Sequence, residues 1–281
     1  MSVPGPVWLV PDWPAPPTVR AVSTQRGGGT SGPLYASLNL GDHVDDAPAA
    51  VAENRRLLRA AAGLPAEPVW LAQVHGTQVK NLDLDPDLDP ALDMDLDPAL
   101  ERDPGAAIHG SASADASATT ADAAISRRAG RICAILTADC LPILLASETG
   151  DRVGAAHAGW RGLAAGVIEA TVNALGAPGE LLAWLGPAIG PRHFEIGPEV
   201  REALLRADPE AHAAFALNAR GRFTADLFAL ARRRLVRAGV ERSYGGGVCT
   251  YADAARYFSH RRDGRTGRQA SLIWLETPTQ R

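Results

Sequence analysis

Lysine is almost missing from this chain: of 28 basic residues only Lys80 is a lysine, and 32 acidic residues outnumber them for a formal net charge of −4. Without a basic excess there is nothing to drive binding to a phosphate backbone or an anionic bilayer, so nucleic acid and membrane are not expected partners. Cysteine is scarce as well. Cys133, Cys140 and Cys249 are odd in number and none belongs to a C-x-x-C pair, which excludes a disulfide framework and fits a reducing cytoplasm. Long apolar runs are absent: the longest, around residues 132–146, is broken by Asp139 and Pro142. The opening MSVPGPVWLVPDWP has no basic stretch ahead of an apolar one, so neither a membrane span nor a secretory leader is expected. What remains is a 281-residue composition, 46% apolar and 21% charged, of a globular chain able to bury a sizeable core.

From Pro48 the segment PAAVAENRRLLRAAAG has helical spacing, with Gly63 as its stop. VWLAQVHG reads as a short strand entering a turn at Gly76, which puts His75 at the strand's end. ICAILT, LPILLA, VGAAHAG, LLAWLG and SLIWLE read as buried strands. GLAAGVIEATVNALG, VREALLRA and TADLFALARRRLVRAG read as helices, the last capped by Thr224 and Gly239. Strands interleaved with helices predict a mixed α/β sandwich, taken as one domain over residues 1–281. Residues 81–120 interrupt the pattern with Leu-Asp-Pro repeats and then small polar residues, too little bulk to bury, and are expected to form a mobile insertion. A calcium loop starting at Asp83 would need Gly at the position of Leu88 and Glu at that of Met94, so a solvated insertion is favoured over metal or partner binding.

Reactive side chains stand beside turn glycines in three places: QVHG with His75, TADC with Asp139 and Cys140, and AHAGWRG with His157 and Arg161. Two imidazoles and a thiol are ligands zinc prefers, and three protein ligands leave the fourth position that a catalytic site keeps open. Their separations, 65 and 17 residues, do not by themselves distinguish a metal site from a buried core thiol. They also suit a thiolate nucleophile at Cys140 with His157 as its base and Asp139 or His75 as orienter. Arg161, at the start of a predicted helix, is placed to meet an anion. The loop QRGGGTSG carries Arg26 among glycines that allow close approach to a ligand, although it matches neither phosphate-loop pattern. His193 lies in GPAIGPRHFEIGPE, dense enough in Gly and Pro to shape a pocket wall. His43, His109, His212 and His260 have no partner at metal-like spacing.

Taken in order, TQRGGGTSGPLYASLNLGDHV, AVAENRRLL, VWLAQVHGTQV, ILTADCLPILLA, GAAHAGWRGLAAGVIEATV, AWLGPAIGPRHFEIGPEV and VCTYADAARYFSHRRDGRTGRQASLIWL resemble the YfiH-like laccase-domain proteins. That family was formerly described as multicopper polyphenol oxidases and is now described as purine nucleoside phosphorylases. The resemblance implies a YfiH/CNF-like α/β sandwich and zinc held by His75, Cys140 and His157. It further implies phosphorolysis of adenosine, inosine, guanosine and methylthioadenosine, together with adenosine deamination. Purine nucleosides and phosphate are then the partners, for a monomer or a homodimer. Deamination calls for an acid/base group, for which Asp139 is the candidate, alongside Cys140 and His157. Phosphorolysis calls for cationic donors, for which Arg161 and Arg26 are candidates, with Asn39 reading a ribose hydroxyl or base edge. Copper phenol oxidation is the main competing activity, since type-1 copper also takes His₂Cys, but it wants an axial methionine and the chain has only Met1 and Met94. A metal-free cysteine hydrolase using Cys140 and His157 is the other, and a binding scaffold would need no such trio.

Overall fold

The computed structural model describes residues 5–85, 88 and 119–276, so most of the expected insertion, with His109 and Met94, lies outside the described residues. Six strands form the larger sheet, in the order Arg242–Gly245, Leu181–Leu185, Leu141–Ser147, Val153–Ala158, Ala123–Ser126, Val79–Asn81. The two outermost pairs are parallel and the inner ones antiparallel. Trp8–Leu9, Val19–Thr24, Gln269–Leu275 and Ile132–Thr137 make a second, antiparallel sheet in that order. A third sheet joins Phe215–Leu217, Phe223–Ala225 and Glu195–Ile196.

The two large sheets face each other. Cys133, Ile135 and Ile273 from one pack against Leu144, Ala146 and Val153 from the other. Alternate residues turn outward: Leu141, Ile143 and Leu145 meet the helices carrying Ile168, Val172 and Leu235, while Ala134, Leu136 and Leu272 meet Leu58 of the helix Pro48–Ala62. The result is a four-layer sandwich, helices outside and sheets inside. Strands buried on both faces need apolar residues at every position, which is why ICAILT and LPILLA show no polar alternation. Each fully buried leucine, Leu144 for example, contributes roughly 1.5–3 kcal/mol.

Local chemistry accounts for the element ends, and in four places it departs from the sequence reading. Helix Pro48–Ala62 stops at Gly63, whose left-handed φ of 60° lets its N–H reach the Arg59 carbonyl, as expected. The segment after Gly159 is two helices, Trp160–Ala165 and Val167–Leu175, because Gly166 at φ 103° breaks the path between them. Asp226, not Thr224, caps Leu227–Arg237: its carboxylate accepts from the N–H groups of Phe228 and Ala229, while Thr224 lies in a strand. VWLAQ makes only isolated bridges, from Val69 to Cys133 and from Ala72 to Thr120. The stretch 81–85, expected within the insertion, belongs to the fold. Leu82 is fully buried, and the Asp83 carboxylate accepts from the Ser126 hydroxyl at 2.6 Å and the Arg127 N–H at 2.8 Å.

Candidate metal centre

The chain passes from the four-stranded sheet to the six-stranded one at residues 138–140, between the strands Ile132–Thr137 and Leu141–Ser147. This crossover delivers Cys140 to one end of the sandwich. His157 stands on the neighbouring strand, opposite Pro142, so its ring lies beside the same end. His75 arrives from the QVHG turn, with φ 62°. The ligand atoms of His75, Cys140 and His157 all lie within 4.8 Å of one another, with Cys140 Sγ 3.8 Å from His75 Nε2. Bond lengths to tetrahedral zinc imply ligand separations of about 3.3–3.6 Å, so a small contraction would close the three around an ion. Among the described residues this is the only such cluster. Gly159 explains the AHAG spelling: a Cβ there would sit 2.8 Å from Cys140 Sγ and 2.9 Å from His75 Cδ2.

One buried carboxylate organises the trio. Asp122 accepts hydrogen bonds from the backbone N–H groups of Val74 (3.1 Å), His75 (2.9 Å) and Gly76 (2.7 Å) and from His157 Nδ1 (2.8 Å). It thereby holds the left-handed turn under His75 and fixes the His157 tautomer, leaving Nε2 free for a metal, the carboxylate–histidine–metal arrangement. Burial alone would raise the Asp122 carboxyl; the His157 hydrogen bond and the N–H groups of Gly76 and His75 hold it below the usual carboxylate range. Sequence reading missed Asp122, hidden at the end of a low-complexity run. The available signal was a lone acid leading directly into the apolar strand AAIS.

Burial pushes the Cys140 thiol up, but the charge and hydrogen bond of His157, with those of His75, outweigh it and bring it down to about 6. His157 moves the opposite way. Burial lowers it, yet the Cys140 charge and the Asp122 hydrogen bond raise it to about 9. The pair thus favours a thiolate and a positive charge between sulfur and ring, a position a metal takes by displacing the proton. Cys133 contrasts with it: enclosed between the sheets, its thiol is pushed far up and stays inert. Cys249 pairs with His193 Nδ1 at 3.4 Å, and His193 stacks on Tyr251, away from the trio.

Two adjoining cavities open at the trio, sharing His75, Cys140, Arg161 and His260. One, of about 190 Å³, is walled by Trp160, Ile189, Phe194 and Leu227. The other, of about 350 Å³, is walled by His43, Gln73, His157 and Arg268. Asp139 lines the first, its carboxylate held by the Thr250 hydroxyl (2.7 Å) and the Arg261 N–H (2.6 Å). Arg161 is exposed, lies over the Trp160 ring and faces both. Arg26 and Asn39 line neither. The Arg26 guanidinium donates to the carbonyls of Ala36 and Ala254 over the Phe258 ring. Asn39, fully buried, bonds Gly41, Asp46 and the Arg268 N–H. Spacing gave no hint of Arg268, His43 and His260, because two loops and the short helix His260–Asp263 bring them together.

Fold and site together define an α/β/β/α sandwich protein with a His₂Cys cluster at the mouth of a divided cavity. Residues 20–276 match the family model described as multi-copper polyphenol oxidoreductase laccase. The purine nucleoside phosphorylase PA4543 of Pseudomonas aeruginosa is 52% identical over 271 residues, covering 96% of this chain and 98% of its own. The purine nucleoside phosphorylase YfiH of Escherichia coli is 47% identical over 268 residues, covering 95% and 98%. The crystal structure of protein NMB0706 from Neisseria meningitidis aligns with a TM-score of 0.80 at 42% identity, over 96% of this chain and 99% of that one. The chain belongs to the multi-copper polyphenol oxidoreductase laccase family, among relatives that carry the name purine nucleoside phosphorylase.

Proposed function

We propose that this chain is a zinc-dependent purine nucleoside phosphorylase acting on adenosine, inosine, guanosine and methylthioadenosine, with adenosine deaminase activity as well. The observation that carries the reading is the divided cavity: the His75–Cys140–His157 trio stands between an apolar slot and a basic chamber. The names of the relatives at 52% and 47% identity support the phosphorylase part.

Zinc suits the donor set better than copper. The described residues include no methionine for an axial position and no second histidine cluster for further copper ions. Bound at the trio, zinc supplies Lewis-acid chemistry and lowers the pKa of water. The remaining work falls to the chain's own groups. Trp160, Ile189, Phe194 and Leu227 offer a purine flat apolar contact and exclude water. Arg161 offers a cation to phosphate approaching C1′, and Asp139, fixed beside Cys140, carries protons to and from the purine. Arg26 and Asn39 act one step back, holding the glycine loop and the Arg268 backbone.

Incubating the purified protein with adenosine, with and without phosphate, and identifying products by mass spectrometry tests the proposal. Adenine and ribose-1-phosphate are expected only with phosphate, and inosine under both conditions. Unchanged adenosine in both incubations would reject it.

A further inference from the structure

The larger chamber has a chemical character that nothing in the apolar slot requires. Among the described residues no carboxylate lines it, whereas Arg268, Arg161, His43 and His260 do. Arg268 donates one guanidinium nitrogen to the carbonyls of Thr266 (3.0 Å) and Gly267 (3.1 Å) and has no carboxylate partner among the described residues. Its stem and the His43 ring flank Gly41: a Cβ built there meets Arg268 Cγ at 2.7 Å and His43 Cε1 at 3.5 Å. A half-buried guanidinium that feels the Asp139 and Cys140 charges only at a distance, with no carboxylate in contact among the described residues, has room in this chamber for an anion.

The two histidines narrow down which anion. His260 Nδ1 lies 2.7 Å from the Gly264 carbonyl, which can only accept, so Nδ1 carries the proton. His43 Nδ1 faces the Asp42 carboxylate at 3.4 Å, which favours the same tautomer. With the proton on Nδ1, Nε2 of each ring is the nitrogen left to accept a hydrogen bond. A chamber lined by two arginines and by two histidines whose Nε2 atoms are left as acceptors matches an oxyanion that bears both negative oxygens and a hydroxyl. Hydrogen phosphate and arsenate have that hydroxyl near neutral pH; sulfate does not.

We propose that Arg268, His43 and His260 form the oxyanion subsite of this protein, selective for hydrogen phosphate over sulfate. Arg268 takes the P–O⁻ oxygens, and the histidine Nε2 atoms take the P–OH proton as acceptors. The subsite rests on the phosphorylase reading and completes it by assigning the co-substrate to this chamber, and it can fail separately from that reading.

The test uses the metal-loaded protein as purified. Binding of inorganic phosphate and of sulfate is measured by calorimetry, and the phosphate and nucleoside KM values by product formation. Arg268→Gln is expected to raise the phosphate KM or Kd about tenfold or more, since charge-assisted hydrogen bonds are lost, with the nucleoside KM within about twofold and metal content unchanged. Arg268→Lys recovers part of that loss. Because Arg268 also braces its own loop, His43→Phe at the exposed rim serves as a second variant: it weakens phosphate and leaves the weak sulfate binding unchanged. Sulfate binding as tightly as phosphate, or a phosphate affinity that neither variant changes, would overturn the subsite. If the wild-type protein binds phosphate selectively, loses it in Arg268→Gln, and turns over no nucleoside, the subsite stands and the phosphorylase reading falls. Phosphate-dependent turnover with an unaltered phosphate KM in both variants leaves the phosphorylase reading standing and overturns the subsite.

Discussion

Asp122 is the residue that organises the candidate metal centre without belonging to the His75–Cys140–His157 trio. Its two oxygens hold the turn beneath His75 and the ring of His157 at once. Asp122→Asn keeps the volume but turns an NH₂ toward at least one of these donors, so metal affinity is expected to fall about 10–100-fold. A chelator competition titration measures this, and an unchanged affinity would show that the carboxylate is only scaffolding. Gly159 gives a second prediction at the same scale. Gly159→Ala forces a methyl within van der Waals overlap of Cys140 Sγ and His75 Cδ2, so bound metal should drop while far-ultraviolet circular dichroism is retained. Retention of full metal in Gly159→Ala would mean that the trio tolerates a wider spacing than the structure has.

Among the elements, the joint between the helices Pro198–Ala207 and Leu227–Arg237 is tied by the Asp208 carboxylate and by the Arg234 and Arg237 guanidinium groups, which donate to the Ala207 carbonyl. Asp208 follows the first helix and accepts from Arg233 Nε at 2.6 Å and from its second nitrogen at 3.0 Å. The Arg233 hydrogen bonds, partly opposed by burial, hold the Asp208 carboxyl below its ordinary range. A carboxyl depressed in the folded state stabilises above its unfolded pKa of about 3.9 and loses that contribution as pH falls. Asp208→Asn should therefore lower Tm by a few degrees near pH 7, and the gap to wild type should begin to narrow below about pH 4 and shrink further as pH falls through the folded pKa. Thermal melts across pH 3–7 check it; a gap that stays constant with pH would assign the loss to packing. This joint was not legible in the sequence, whereas the buried strands were. Strands such as LPILLA and the helix from Pro48 declare themselves through composition and stop signals that act within a few residues. Short edge strands such as Trp8–Leu9 and Arg242–Gly245 are set by their partners in the sheet, and Asp226 outcompetes Thr224 as a cap only once the strand Phe223–Ala225 has formed.

Across the whole molecule, the site is where separate parts of the sandwich meet, and the same fact decides what sequence could reveal of it. His75, Cys140 and His157 were legible because each sits in a short motif beside a turn, and family resemblance linked motifs that spacing alone did not. Asp122, Arg268, His43 and His260 were not, because their roles arise from long-range geometry: a strand leader reaching under a distant turn, and loops meeting around a chamber. A metal held at the proposed site would join three distant segments and stabilise the fold by preferential binding to the native state, so a strong chelator is expected to lower Tm, with recovery on adding zinc back.

The most direct test of the central claim, that His75, Cys140 and His157 hold the metal on which nucleoside chemistry depends, is elemental analysis of wild type and Cys140→Ser alongside their nucleoside turnover. The account predicts about one zinc per wild-type chain, and in Cys140→Ser loss of the metal together with all turnover. Copper in the wild type, or Cys140→Ser that keeps its zinc yet is inactive, would contradict it, the latter making the thiol a nucleophile.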